Sequence, residues 1–109
     1  MTDVVLVLIT VPDGDVGGVI ARTLVDERLA ACVNVSGPMT SYYRWRGAVE
    51  QDLERQLVVK TTVERVAAVR QRVAELHSYE LPEFLVVPIA DGSSAYLEWV
   101  RMETVAPSR

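Results

Sequence analysis

The feature that most constrains this chain is one long extended arm. From Val49 to Lys60, the residues Val49, Leu53, Leu57 and Val59 share one parity while Glu50, Asp52 and Glu54 share the other, which is the two-residue repeat of a β-strand. Upstream, Ser41-Tyr42-Tyr43-Arg44-Trp45 is also extended, and Arg46-Gly47 supplies a turn, so the two runs read as a hairpin. The returning arm of about 12 residues reaches roughly 40 Å, against about 34 Å for the diameter of a globule of this chain length. The hairpin must therefore overhang. A bare ribbon carrying Tyr42, Tyr43 and Trp45 is an aggregation hazard, so another chain is expected to cover it.

The remaining segments build around this arm. Residues 4–10 are apolar on both faces and rich in Val and Ile, as in a central strand, and they stop at Pro12. Asp13 or Asp15 can cap a helix over about 15–29, in which Val16, Ile20 and Leu24 recur at helical spacing. Gly17 and Gly18 in its first turn mark either tolerated drift or the close approach of another group. Ala30–Val35 resumes a strand, broken by Ser36-Gly37-Pro38 before the hairpin. Thr61 and Glu64 have the spacing of a capping box, and Val66, Val69, Val73 and Leu76 predict a helix over about 63–77. Phe84–Ile89 is the last strand. Ser93 or Ser94 then caps a short helix ending near Met102, with Tyr96 and Trp99 expected in the core.

Strand, helix, strand, strand, helix, strand, helix is a βαββαβ order with an extra C-terminal helix. Right-handed crossovers turn it into an α+β, ferredoxin-like domain, a four-stranded antiparallel sheet with two helices on one face, over residues 1–109. The other sheet face is left open, and oligomerisation through it is the expected remedy.

Composition narrows the function. The chain has 109 residues, one Cys and one His, so it cannot by itself form a disulfide or supply the four ligands of a Cys/His zinc site. A net charge of −4, with Lys60 the sole lysine, argues against nucleic-acid binding. No apolar run is long enough to span a membrane, and the run Val4–Ile9 is too short and lacks the basic flank of a signal peptide. A cytoplasmic location is expected.

His77-Ser78-Tyr79-Glu80-Leu81-Pro82-Glu83 gathers the only His, a Tyr and two carboxylates on a loop. It reads as helix-capping and packing groups, as a ligand site, or as an acid–base pair; the last would need a partner such as Lys60, Thr10 or Asp13. Cys32 at a strand start is a small core hydrophobe or a ligand. Trp45 between Arg44 and Arg46 is an interface anchor or a stacking platform. No activated nucleophile is visible, which argues against an enzyme.

These pieces together resemble the CutA family of divalent-cation tolerance proteins. The matching stretches are Thr10-Val11-Pro12-Asp13, Leu24 through Asn34, Ser41-Tyr42-Tyr43-Arg44-Trp45-Arg46-Gly47, Glu54 with Lys60-Thr61, His77 through Glu83, and Tyr96-Leu97-Glu98-Trp99. The resemblance implies a homotrimer built like the PII signalling proteins, and a link to tolerance of copper and other divalent metals without an attached reaction. It also implies a metal site of a strand-one Cys and adjacent His residues. Here Ile9 and Leu76 stand at two of those positions, Ser78 replaces a Pro, and His77 remains. Cys32 from a trimer neighbour is a further candidate ligand.

The expectation is thus a trimeric binding protein that requires no cofactor. It takes Cu²⁺, another divalent cation or a small ligand at inter-subunit clefts lined by Tyr43, Trp45, Lys60, Tyr79 and Glu80, with His77 and Cys32 as metal-ligand candidates. The alternative is a structural or signalling interaction module of PII-like architecture with no metal role.

Overall fold

The computed structural model describes residues 2–106. Its elements are β1 (Val4–Pro12), α1 (Val16–Asp26), β2 (Cys32–Val35), β3 (Met39–Trp45), β4 (Ala48–Thr62), α2 (Val66–Leu76), β5 (Leu85–Pro88) and α3 (Ser94–Glu103). This is an α+β fold with three helices and one antiparallel sheet. Four strands run in the order β2-β4-β1-β5, and β3 pairs with the outer half of β4.

The sheet has five strands rather than four because the Ser36-Gly37-Pro38 break is a true interruption. Both β2 and β3 lie along the same edge of β4, with Val35 opposite Leu57 and Met39 opposite Glu54. Between them the Ser36 N–H donates to the Gln56 carbonyl while the Ser36 hydroxyl accepts from the Gln56 N–H, so a side chain stands in for a ladder carbonyl. Trp45 pairs with Ala48, and Arg46 (φ 51°) and Gly47 (φ 82°) form a two-residue turn with both centres left-handed. The inner half of β4 is held by β1 and β2, while residues 48–53 pair with β3 alone. The resulting overhang stretches the molecule to 45 × 31 × 23 Å.

The parity of β4 explains the core. Leu57 and Val59 point to the face that also carries Val7, Ile9 and Val11, and Ile20 and Leu24 of α1 with Val69 and Val73 of α2 close over them. Farther out no helix covers the same parity, so Val49 and Leu53 are 66% and 53% exposed. On the opposite face α3 packs Leu97 and Val100 over Val4 and Ala31. The rest of that face, with Leu6, Leu8 and Val58 flanked by exposed Leu85 and Val87, is uncovered in a single chain.

Several local expectations are corrected. Helix α1 ends at Asp26 because the chain turns out through Arg28 in a left-handed conformation (φ 58°), letting the Leu29 and Ala30 N–H groups reach the Leu24 carbonyl. Asp15 makes no side-chain cap there. The Thr61–Glu64 capping box does not form: β4 runs on to Thr62, a 3-10 turn covers Val63–Arg65, and α2 begins at Val66. The last strand is shorter than Phe84–Ile89. Ser93 does cap α3, accepting from the Tyr96 N–H at 3.3 Å. Tyr96 and Trp99 are not core residues but lie 43% and 41% exposed, their rings tilted 44° to each other with centres 5.4 Å apart, because the adjacent stripe of Leu97 and Val100 faces the sheet.

Candidate functional site

A groove of about 870 Å³ lies between the hairpin and the loop that leads from α2 to β5. The hairpin contributes Tyr43, Trp45, Asp52 and Glu54; the loop contributes Tyr79, Glu80, Leu81 and Glu83. The loop can reach back to the hairpin because α2 ends at Leu76 and Pro82 excludes further helix.

His77 anchors that loop from beneath. Its Nε2 lies 2.8 Å from the Thr10 carbonyl, and its Nδ1 accepts the Tyr79 N–H at 3.1 Å. Since Nδ1 accepts, the proton sits on Nε2, which donates to Thr10, and the neutral ring has both nitrogens engaged with backbone. A metal could bind His77 only by displacing one of these bonds.

Glu83 and Glu54 form the floor. One Glu83 oxygen accepts the Thr10 hydroxyl at 2.8 Å and the Gln56 amide at 2.9 Å, and that amide also donates to the Ile9 carbonyl. Glu54 is 7% exposed and accepts the Tyr79 hydroxyl at 2.6 Å. Burial, followed by the bond to Glu54, pushes the Tyr79 phenol well above its ordinary range. At the rim the Tyr43 hydroxyl donates to Asp52, and that hydrogen bond is the main reason its pKa rises to about 12. Arg46 pairs with Glu80 at 3.0 Å and lies 5.2 Å from the Trp45 ring centre.

Four residues expected in the cleft, Tyr43, Trp45, Tyr79 and Glu80, come together here. Lys60 does not. It stands six residues beyond Glu54 on β4, about 20 Å away along a strand, opposite Leu6 and Cys32 on the open sheet face. Cys32 is half-buried beside it rather than in the core. Asp13 is held by Arg55 at 2.8 Å. Among the described residues no group of three or more His, Cys, Asp or Glu side chains is placed to hold a metal ion. Asp52 and Glu54 line the groove although the sequence reading gave them no site role, and Gln56, next on the same parity, supports the groove's floor through Glu83. Their signal was polar parity continuing from the overhang into a stretch flanked on both sides by other strands.

The comparisons with known proteins agree with the architecture. The family model described as CutA1 divalent ion tolerance protein matches residues 5–103. The divalent-cation tolerance protein CutA of Thermus thermophilus is 50% identical over 99 residues, 91% of this chain and 96% of that protein. The human protein CutA is 40% identical over 100 residues, 92% of this chain but only 56% of the human one. Among solved structures, the Thermus thermophilus divalent cation tolerance protein superposes with a TM-score of 0.91 at 48% identity, covering 94% of this chain and 99% of that one. CutA from Xylella fastidiosa gives 0.93 at 41% identity, covering 95% and 100%. With nearly the whole chain matched by the family model, by full-length relatives and by the fold, this chain belongs to the CutA1 divalent ion tolerance family.

Proposed function

We propose that the chain is a non-catalytic, homotrimeric binding protein of the divalent-cation tolerance family, taking a divalent cation such as Cu²⁺ or a small ligand in the groove between hairpin and loop. The observation that carries the binding reading is the convergence of Tyr43, Trp45, Tyr79 and Glu80, from elements far apart in sequence, on one open groove. The names of relatives, among them the divalent-cation tolerance protein of Thermus thermophilus, favour a cation among its ligands. A non-catalytic role fits His77, the only imidazole, whose ring nitrogens are both spent on backbone.

The trimer reading rests on two apolar surfaces that one chain leaves bare: the sheet face around Leu85 and Val87, and the overhang with Val49 and Leu53. A ferredoxin-like description is favoured by the strand order β2-β4-β1-β5 with α1 and α2 sharing one core cluster. Light scattering on the purified protein should return three times the 12.1 kDa chain mass, and a stable monomer overturns the trimer. Calorimetric titration with Cu²⁺ and Zn²⁺, comparing the native protein with Glu80→Gln and His77→Ala, tests the site. Weakened binding in Glu80→Gln but not in His77→Ala is expected. Binding untouched by Glu80→Gln removes the groove from consideration.

A further inference from the structure

We propose that the hairpin groove is completed by a second copy of this chain, whose Lys60 enters it and serves as the counter-ion of Glu54. This rests on the homotrimer of the reading above and deepens it, by naming the residue that one subunit lends to its neighbour's site.

Within one chain both groups lack an opposite charge. Glu54 is 7% exposed, and among the described residues the one donor to its carboxylate is the neutral Tyr79 hydroxyl. Lys60, the sole lysine, is half-buried on the open sheet face opposite Leu6 and Cys32, and no carboxylate of the described residues pairs with it. Holding either charge away from water without its opposite is costly. The two cannot satisfy each other, since six residues of extended β4 set them about 20 Å apart.

The strand they share identifies the surface that brings them together between copies. Leu57 and Val59 of β4 point into the helix-covered core, so Glu54 and Lys60, of the other parity, lie on the face that α3 covers only at one end. Between them this face carries Leu6, Leu8 and Val58, with exposed Leu85 and Val87 alongside. Such a surface, acidic at one end, basic at the other and apolar between, is complementary to itself when the acidic end of one copy meets the basic end of the next. The opposite orientation sets carboxylate on carboxylate and ammonium on ammonium. A ring of copies joined acid to base covers the apolar strip and gives every Glu54 an ammonium in the same step. Residues 48–53 of β4 run roughly 20 Å past β1 and β2, which gives the acidic end the reach to overlap a neighbour.

The groove is short of positive charge in the way this contact corrects. It is lined by Asp52, Glu54, Glu80 and Glu83 and by no Lys or Arg; Asp52 is engaged by Tyr43 and Glu80 by Arg46 at the rim. The four-carbon stem of a lysine can lie along apolar surface and deliver its ammonium at the far end. A cation entering the groove has to share Glu54 with that ammonium, which links binding there to subunit contact.

The test uses the fact that the chain has one lysine. A zero-length carbodiimide joins an amine to a carboxylate in contact with it, so treating the native protein and mapping its peptides should give an isopeptide between Lys60 and Glu54 of separate chains. Lys60→Arg keeps the charge but has no amine to couple, and should assemble while losing that product. Chains joined from Lys60 to a different carboxylate, or through the N-terminal amine alone, overturn the proposal. Charge reversal is the second arm, read by light scattering on dilution in a fixed, sub-denaturing concentration of urea. Lys60→Glu and Glu54→Lys should each dissociate at a protein concentration at least about tenfold higher than the native protein, and the double reversal should return to within about threefold of it. Losses that simply add in the double variant overturn the pairing. Should a reversal variant fail to fold, the cross-link in the native protein decides. An assembly indifferent to both reversals overturns this assignment and leaves the homotrimer standing, whereas a native protein that stays monomeric overturns both.

Discussion

His77 Nε2 lies 2.8 Å from the carbonyl oxygen of Thr10, a contact spanning 67 residues that ties the groove's loop to the end of the central strand. With Nδ1 taken by the Tyr79 N–H, this ring acts as a buried-side bracket rather than an open ligand. Replacing it with Ala removes both bonds and leaves the Thr10 carbonyl without that donor. His77→Ala should therefore lose roughly 1–2 kcal/mol in urea unfolding at fixed protein concentration. A change of only a few tenths would mean that water replaces both bonds without cost.

The phenol of Tyr43 offers a test in solution of the hairpin rim. Its hydrogen bond to Asp52, with lesser contributions from burial and from the charges of Asp52, Glu54 and Glu50, raises the pKa from 10.0 to about 12. Because the folded value lies above the unfolded one, the unfolded chain releases this proton first. The contribution to stability is complete below pH 10 and is lost as pH rises toward 12. Spectrophotometric titration of the native protein should show a phenolate phase near pH 12 that is missing in Tyr43→Phe and moved to lower pH in Asp52→Asn. If all phenols ionise together near pH 10, the rim contact is absent in solution.

What could be read from sequence alone was whatever is decided locally. The stripe of Val16, Ile20 and Leu24 and the alternation from Val49 to Val59 need only neighbours a few residues away, and both elements are where periodicity put them. Tyr96 and Trp99 were misplaced because helical spacing marks two adjacent apolar stripes without saying which one faces the sheet; Leu97 and Val100 take that place. The site followed the same division. The loop from His77 to Glu83 stood out by its density of functional groups, and most of its side chains do meet the groove. Glu54 stood among the residues that carry the family resemblance, but its place in the groove was not legible, because the residue that hydrogen-bonds it, Tyr79, is 25 positions away.

Two neighbouring glycines of α1 should respond to the same substitution with opposite signs. A Cβ on Gly18 would meet nothing within 4 Å, so Gly18→Ala should stabilise by up to about 1 kcal/mol through helix propensity. A Cβ on Gly17 would fall 2.9 Å from Val11 Cγ2 and 3.4 Å from Leu57 Cδ2, both on fully buried side chains that have no room to withdraw. Gly17→Ala should therefore destabilise by about 1–3 kcal/mol. Thermal unfolding of the two variants decides it; equal shifts of the same sign would mean that the helix slides to relieve the contact.

Thr61 and Glu64 separate a local motif from a tertiary bond. A capping box would make the two residues partners, so that removing either one should cost a similar amount. In the structure the Thr61 hydroxyl, fully buried, donates instead to the Leu29 carbonyl at 2.7 Å, pinning the chain after α1 to the inner end of β4. Glu64 is exposed. Thr61→Val keeps the shape but leaves a buried carbonyl without its donor, at a cost of about 1–3 kcal/mol. Glu64→Ala should stay within about 0.5 kcal/mol of the native protein. Chemical denaturation of both variants, with Thr61→Ser as the variant that retains the hydroxyl, measures the difference. Matching losses for Thr61→Val and Glu64→Ala would restore the capping box and remove the long-range bond as the reason this threonine is buried.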